Sequence, residues 1–386
     1  MLKKALSLYV HIPFCEKKCR YCDFLSAPAS LQNREQYVID LCKSIKEQAE
    51  FYTEYEVITI FFGGGTPSIL EGSQMRRILE CIRSSFLVST DAEITIEVNP
   101  GTVDLEKWKL YKKIGINRIS IGLQSAQNEE LELLGRIHTY ETFLESYQQA
   151  RSVGFDNINI DLISSLPGQT IKDYLKTLHT VLALKPEHIS AYSLILEEHT
   201  ALYQMFIDEN GREKSVFWNE KEIRLLDEDT DREIYHLTKK VLEEAGYERY
   251  EISNYAQKGK ECRHNKVYWE RGEYLGLGAG AASLVGKERF KNENTYPFSH
   301  IEREQLGKKE EMEEYMFLGL RMMKGVSEKQ FEDNFQCSMK EVYGEIIRKF
   351  QEEGMMEERW MDQEKRIVLT EKGLDVSNYI MSEFLL

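Results

Sequence analysis

Three cysteines near the start of the chain carry the first chemical signal. Cys15-Glu-Lys-Lys-Cys19-Arg-Tyr-Cys22 has C-x3-C-x2-C spacing. Three thiolates on so short a loop can ligate three irons of a 4Fe–4S cubane and leave the fourth without a protein ligand. An open iron can chelate the amino and carboxylate groups of S-adenosylmethionine (SAM) and pass an electron to its sulfonium, giving a 5′-deoxyadenosyl radical. Tyr21, one place before the third cysteine, offers a flat ring to pack against the adenine. The competing reading is a zinc site with His11 as fourth ligand. Zinc sites usually pair two separated knuckles, whereas Cys42, Cys81, Cys262 and Cys337 stand alone. Cys42 and Cys81 fall in helical patterns, where packed thiols belong. The arrangement is no disulfide framework, and it points to a metal or redox site in a reducing compartment.

A second signal follows one strand later, where Ile58–Phe62 runs into Gly63-Gly64-Gly65-Thr66-Pro67. Consecutive glycines adopt dihedrals closed to other residues and let the backbone approach a ligand. Glu97, Gln124, Arg136 and Asp161 then recur near the ends of later strand-like runs. Carboxylates suit ribose hydroxyls or an ammonium, and a guanidinium suits the methionine carboxylate. Any one of them would pass for a surface or capping group; their repetition on successive units makes a cradle.

Such residues need a scaffold that gathers strand ends. Candidate strands are 6–12, 57–62, 93–98, 118–121, 157–162 and 188–192, with apolar residues at helical spacing between them. Six strand–helix units predict a parallel sheet of α/β class, a partial (β/α)6 barrel whose ligands bind at the C-terminal strand ends. The expected domains are a radical SAM core over 1–230, a connecting region over 231–298 and a winged-helix-like domain over 299–386. In the connecting region a helix stopping at Gly246 precedes a strand-like Tyr247–Tyr255, and the last region holds a hairpin near Trp360–Leu369.

Together, Tyr9-Val-His-Ile-Pro-Phe-Cys15, the cysteine loop, Gly63–Pro67, Glu97-Val-Asn-Pro100, Gly122-Leu-Gln-Ser125 and Asp161-Leu-Ile-Ser-Ser-Leu-Pro-Gly-Gln-Thr170 resemble the oxygen-independent coproporphyrinogen III oxidase family of radical SAM proteins. The resemblance runs from about residue 6 to the C-terminus. It implies a 4Fe–4S cluster on Cys15, Cys19 and Cys22. It also makes Tyr9, Gly64, Gly65, Thr66, Glu97, Gln124, Arg136 and Asp161 the SAM contacts, with Ile195 at a further contact position. Within the family the chain is most similar to the heme-chaperone branch. The oxidases carry another Cys two places after the third ligand, where Phe24 stands here, and a long N-terminal extension. Arg263-His264-Asn265-Lys-Val-Tyr268-Trp269 matches the His-Asn-x-x-Tyr-Trp motif associated with heme in that branch. Two departures from the family pattern are Ala282, where His is expected, and Ser165, where Gly-Leu-Pro usually begins.

The resemblance thus implies a protein of porphyrin metabolism that binds heme and hands it to client hemoproteins. It also implies an electron donor such as flavodoxin or ferredoxin, and peripheral contact with membrane-bound clients. Oxidative decarboxylation of coproporphyrinogen III is the alternative, and whether SAM is cleaved stays open. His264 is a candidate axial ligand, since neutral imidazole commonly binds heme iron; on the residues alone, His264, Tyr268 and Trp269 could equally be core. Nine of twelve methionines lie between Met312 and Met381, an adaptable surface or a filler of core gaps. The net charge of −15 argues against nucleic acid, and residues 299–386, with 13 basic and 20 acidic side chains, repeat the argument against DNA for the tail. Neither a signal peptide nor a membrane-length apolar run is evident, so a cytoplasmic location is expected.

Overall fold

The computed structural model describes residues 3–361 and 363–386. Strands and helices alternate through the first half: β1 (Lys4–Ile12), α1 (Leu31–Ala49), β2 (Tyr55–Gly64), α2 (Gly72–Ser85), β3 (Val88–Val98), α3 (Leu105–Lys113), β4 (Arg118–Gln124), α4 (Asn128–Leu133), α5 (Tyr140–Ser152), β5 (Ile158–Ser164), α6 (Ile171–Ala183) and β6 (His188–Ser193). The six strands lie parallel in chain order, as the strand–helix rhythm predicts. Period-two alternation sorts their side chains between two faces. Leu6, Leu8, Val10 and Ile12 of β1 are fully buried in one core with Val38, Leu41 and Ile45 of α1. The alternate positions carry Ser7, half-buried Tyr9 and His11, and later strands add the buried polar groups Thr59, Glu93, Arg118, Ser120, Asn159 and His188. The interior of the curved sheet is therefore polar, and the helices cover its apolar outside. Side-chain caps fix where helices start: Ser30 accepts from the Asn33 N–H at 3.1 Å and Asp104 from the Lys107 N–H at 2.8 Å.

The chain continues through α7 (Ala201–Phe206), a hairpin of β7 (Val216–Trp218) and β8 (Lys221–Ile223), and α8 (Glu228–Glu244). Residues 231–298 then extend both edges of the main sheet. β9 (Glu248–Arg249) and β10 (Asn254–Ala256) add antiparallel strands beside β6. Beyond α9 (Arg263–Trp269), β11 (Tyr274–Leu277) pairs parallel with β1. β12 (Ala282–Val285), β13 (Glu288–Asn292) and β14 (His300–Gln305) complete a twelve-stranded sheet, which runs past position 299. The single strand expected over 247–255 is two short ones, because the Glu251 carboxylate accepts the Ser253 N–H at 2.9 Å and turns the chain between them.

The C-terminal unit comprises α10 (Lys308–Gly319), β15 (Val326–Ser327), α11 (Glu328–Phe335), α12 (Met339–Glu352), the hairpin β16 (Met356–Met361) and β17 (Glu364–Leu369), α13 (Glu371–Asp375) and α14 (Ser377–Ser382). Helices followed by a hairpin, on a sheet ordered β15-β17-β16, give the winged-helix-like arrangement. Met312, Met316, Met339, Met356 and Met381 are buried in its own core, so these methionines fill gaps. Glu314 ties the unit to the main sheet through Arg271 at 2.9 Å and Arg289 at 2.7 Å. Among the described residues no helix is long and apolar enough to cross a membrane.

Candidate functional site

The loop after β1 is held at both ends and in the middle. Cys15 N–H donates to the Ala27 carbonyl at 3.2 Å, and Ala27 N–H donates to Pro13 at 3.1 Å, which closes the loop's base. Between the second and third cysteines, Arg20 donates from its backbone to Leu134 at 2.9 Å and from its guanidinium to Glu132 and Leu133 at 2.6 and 2.9 Å. Its carbonyl accepts the Leu202 N–H at 2.8 Å, and its charged end lies 5.0 Å from the Trp218 ring centroid. Arg20 thus fastens the cysteines to the end of α4 and the start of α7. Residue spacing alone does not reveal that role.

Cys15, Cys19 and Cys22 line one cleft at the C-terminal ends of the strands, with Tyr21, Gly64, Gly65, Thr66, Glu97, Gln124, Arg136 and Asp161 around it. The cleft opens to solvent. Thr66 Oγ1 donates to Cys15 Sγ at 3.4 Å, and an Arg136 guanidinium nitrogen donates to Cys19 Sγ at 3.5 Å. Donors aimed at the sulfur of a metal ligand orient it and offset its charge. Asn99 links these two groups, donating to Thr66 Oγ1 at 2.7 Å and accepting from Arg136 at 2.8 Å. Asn99, Ser120 and Tyr192 also line the cleft. They extend the sequence-derived set, and Asn99 was already inside the Glu97-Val-Asn-Pro100 motif.

The glycine run has a second reason beside the one expected. Gly64 sits at φ +111°, and a Cβ there would lie 2.4 Å from the His11 ring; a Cβ on Gly65 would lie 2.6 Å from the Phe14 carbonyl oxygen. The glycines let β2 pack against the stem of the cysteine loop, and the cleft wall follows from that close approach. His11 cannot serve as a fourth zinc ligand in this arrangement, since its ring nitrogens engage Tyr9 Oη at 3.1 Å and the Leu25 carbonyl at 2.9 Å.

Two carboxylates face the cleft without a salt-bridge partner among the described residues. Glu97 accepts the Gly64 N–H at 3.1 Å. Burial first, and the Asp161 charge second, push its carboxyl up to about 8. Burial also raises Asp161, against hydrogen bonds from Asn159, Ser190 and Ser120. Desolvated acceptors of this kind await a cationic or hydroxyl-bearing ligand, since burial without one is costly.

Three expected contacts stand elsewhere. Tyr9 lies below the cleft, stacked on Phe61 at 6.3 Å, and does not line it. Ile195 is 72% exposed two residues past β6, also outside the lining. His264 is 1% exposed. Its Nδ1 meets Thr59 Oγ1 at 2.7 Å, its Nε2 meets Tyr268 Oη at 2.9 Å, and its ring stacks on Phe61. Both nitrogens are engaged and the ring is buried, so in this structure His264 packs as a core residue and does not line the cleft. The Ser165 departure has a local account. Its φ of +59° is the left-handed region that favours glycine, and its hydroxyl donates to Asp231, which also takes the Ser193 hydroxyl at 2.6 Å.

Comparison with known proteins identifies the family. Residues 9–181 match the radical SAM superfamily, and residues 306–376 match the HemN C-terminal domain. The heme chaperone HemW of Lactococcus lactis is 36% identical over 399 residues, an alignment covering 100% of this chain and 99% of that protein. HemW of Bacillus subtilis is 33% identical, with 98% and 99% covered, and HemW of Escherichia coli 39% identical, with 72% and 70% covered. The chain belongs to the HemW family. Coproporphyrinogen III oxidase HemN from Escherichia coli shares the fold, with a TM-score of 0.84 at 23% identity over 100% of this chain and 91% of that one. Radical SAM membership implies a 4Fe–4S cluster and SAM for the HemW family, and the cleft suits both. It offers three thiols on one loop, donors aimed at two of them, and a wall of carboxylates and one guanidinium.

Proposed function

We propose that this chain is a heme carrier built on a radical SAM core, which holds heme and delivers it to hemoproteins. The observation that carries the reading is the end-to-end match to relatives named heme chaperones. In this reading Cys15, Cys19 and Cys22 hold the 4Fe–4S cluster, and Gly64, Gly65, Thr66, Glu97, Gln124, Arg136 and Asp161 hold SAM. When bound, such a cluster supplies one iron free of cysteine for the amino and carboxylate groups of SAM, and an electron for its sulfonium. The chain's own part is positioning. Arg136 places a positive charge next to Cys19, where it offsets the thiolates and meets a carboxylate. Glu97 and Asp161 accept from hydroxyls or an ammonium, and Tyr21 walls off water beside the cysteines. Heme needs an exposed apolar face: Phe24, 68% exposed while lining the cleft, and Ile195, 72% exposed, are side chains of that kind. An acidic one-electron donor would approach the exposed Lys17 and Lys18 between the first two cysteines.

The test is heme titration of anaerobically reconstituted protein, with and without SAM. Saturable binding at one heme per chain supports the reading, and stable failure to bind discards it. Decarboxylation of coproporphyrinogen III has behind it the shared fold and the match to the HemN C-terminal domain, and none of the sequence relatives named above carries that activity in its name. Vinyl product in an anaerobic assay would reinstate that alternative.

A further inference from the structure

Beneath the cleft a column of buried polar groups runs down the sheet's interior to α9. Asp161 can only accept hydrogen bonds when ionised, so the Asn159 amide that touches it at 2.7 Å must present its Nδ2. The same nitrogen donates to Ser120 Oγ at 2.7 Å, and Ser120 donates onward to the second Asp161 oxygen at 3.0 Å. That choice turns Asn159 Oδ1 downward, where it meets His188 Nδ1 at 2.6 Å. An acceptor there requires the proton on Nδ1. His188 is fully buried, and burial with Arg118 close by holds its pKa well below the usual value, so the ring is neutral and Nε2 is an acceptor. Tyr250 Oη, 2.9 Å away, therefore donates to Nε2, and its oxygen takes the Cys262 N–H at 3.4 Å. Every donor in the column points toward Asp161.

The foot of the column is fixed as firmly. Glu93 accepts the Arg263 and His264 N–H groups at 3.0 and 3.1 Å, which seats α9 against the barrel floor. The Tyr250 carbonyl accepts the Met323 N–H at 3.0 Å, from the C-terminal unit. A network with one consistent polarity holds its terminal acceptor in a single orientation, because flipping any member breaks two bonds.

We propose that His188 and Tyr250 are positioning residues for SAM binding: through Asn159 they orient the Asp161 carboxylate, and the segment around Arg263-His264-Asn265 anchors that column from below. The inference rests on the reading that Asp161 contacts SAM. It also gives the His-Asn-x-x-Tyr-Trp segment a task that needs no contact with heme.

The experiment is a double-mutant cycle on anaerobically reconstituted full-length protein, reading SAM affinity by equilibrium dialysis and iron per chain. Tyr250→Phe deletes one oxygen and should weaken SAM binding about three- to tenfold with iron unchanged. His188→Phe should do at least as much. In an Asp161→Ala background both losses should shrink to within about twofold, since the residue they act through is gone. Equal losses in the two backgrounds would mean a general structural role and overturn the inference, as would Tyr250→Phe binding SAM like wild type. Wild-type protein that carries its cluster yet binds no SAM would instead bring down the parent reading, and this inference with it.

Discussion

Glu97→Gln separates the electrostatics of the cleft from its shape. Burial, and then the charge of Asp161, push this carboxyl up to about 8 in the folded chain, against about 4.5 for an ordinary glutamate. Between those two values the folded chain binds a proton that the unfolded chain releases. The Glu97 contribution to stability is therefore fully present below about pH 4.5 and is lost as pH rises through about 8. At about 1.4 kcal/mol per pH unit the complete loss is at most about 5 kcal/mol. The cleft is open to water, which relaxes the penalty, and about 2 kcal/mol should survive. Glutamine keeps the shape and can still accept the Gly64 N–H, so the variant lacks only this pH term. Thermal melts of SAM-free wild type and Glu97→Gln at matched cluster content, from pH 5.5 to 9, give the comparison. Titrating groups that do not interact with Glu97 cancel in the difference. The variant should gain on wild type by about 3 °C between pH 6 and 9. Parallel curves across that range would refute the assignment of Glu97 as a buried, proton-holding carboxyl.

The remaining predictions concern the cluster, the glycine wall and heme. Cys19→Ala should lose its iron on anaerobic reconstitution, while Cys42→Ala, on α1 beside Cys81 and away from the cluster loop, should keep wild-type iron; colorimetric iron and sulfide assays decide. Gly64→Ala places a Cβ 2.4 Å from the His11 ring at a φ of +111°, and should cost about 2–4 kcal/mol in denaturant unfolding. His264→Ala should leave the heme absorption maximum unmoved yet lower stability by about 2 kcal/mol, the cost of unpairing buried Thr59 and Tyr268. Phe24→Ser, by contrast, should weaken heme binding about three- to tenfold in the same titration.

Much of the site was legible because its chemistry needs particular residue types at local spacing. A C-x3-C-x2-C loop after a strand cannot be mimicked by ordinary packing, and Glu97, Gln124 and Asp161 stand where parallel strands end. What sequence reading missed is depth. Tyr9 and His264 alternate or pack inward just as the cleft residues do, and whether an inward group reaches the ligand depends on register, here Tyr9 opposite Phe61. Register is set by contacts far apart in the chain. The same holds for the sheet edges: β9 to β14 are short, and only pairing with β6 and β1 shows that residues 231–298 widen the main sheet. Gly64 and Gly65 line the cleft as their spacing predicts, but that a Cβ on either would also meet His11 or Phe14 is visible only in the packed structure.

The central claim is that Cys15, Cys19 and Cys22 hold a cluster with one iron left for SAM. Electron paramagnetic resonance of the reduced, anaerobically reconstituted protein tests it most directly. The account predicts about four irons and four sulfides per chain and a spectrum that changes when SAM is added. A colourless protein holding only zinc, or a cluster signal indifferent to SAM, would contradict it.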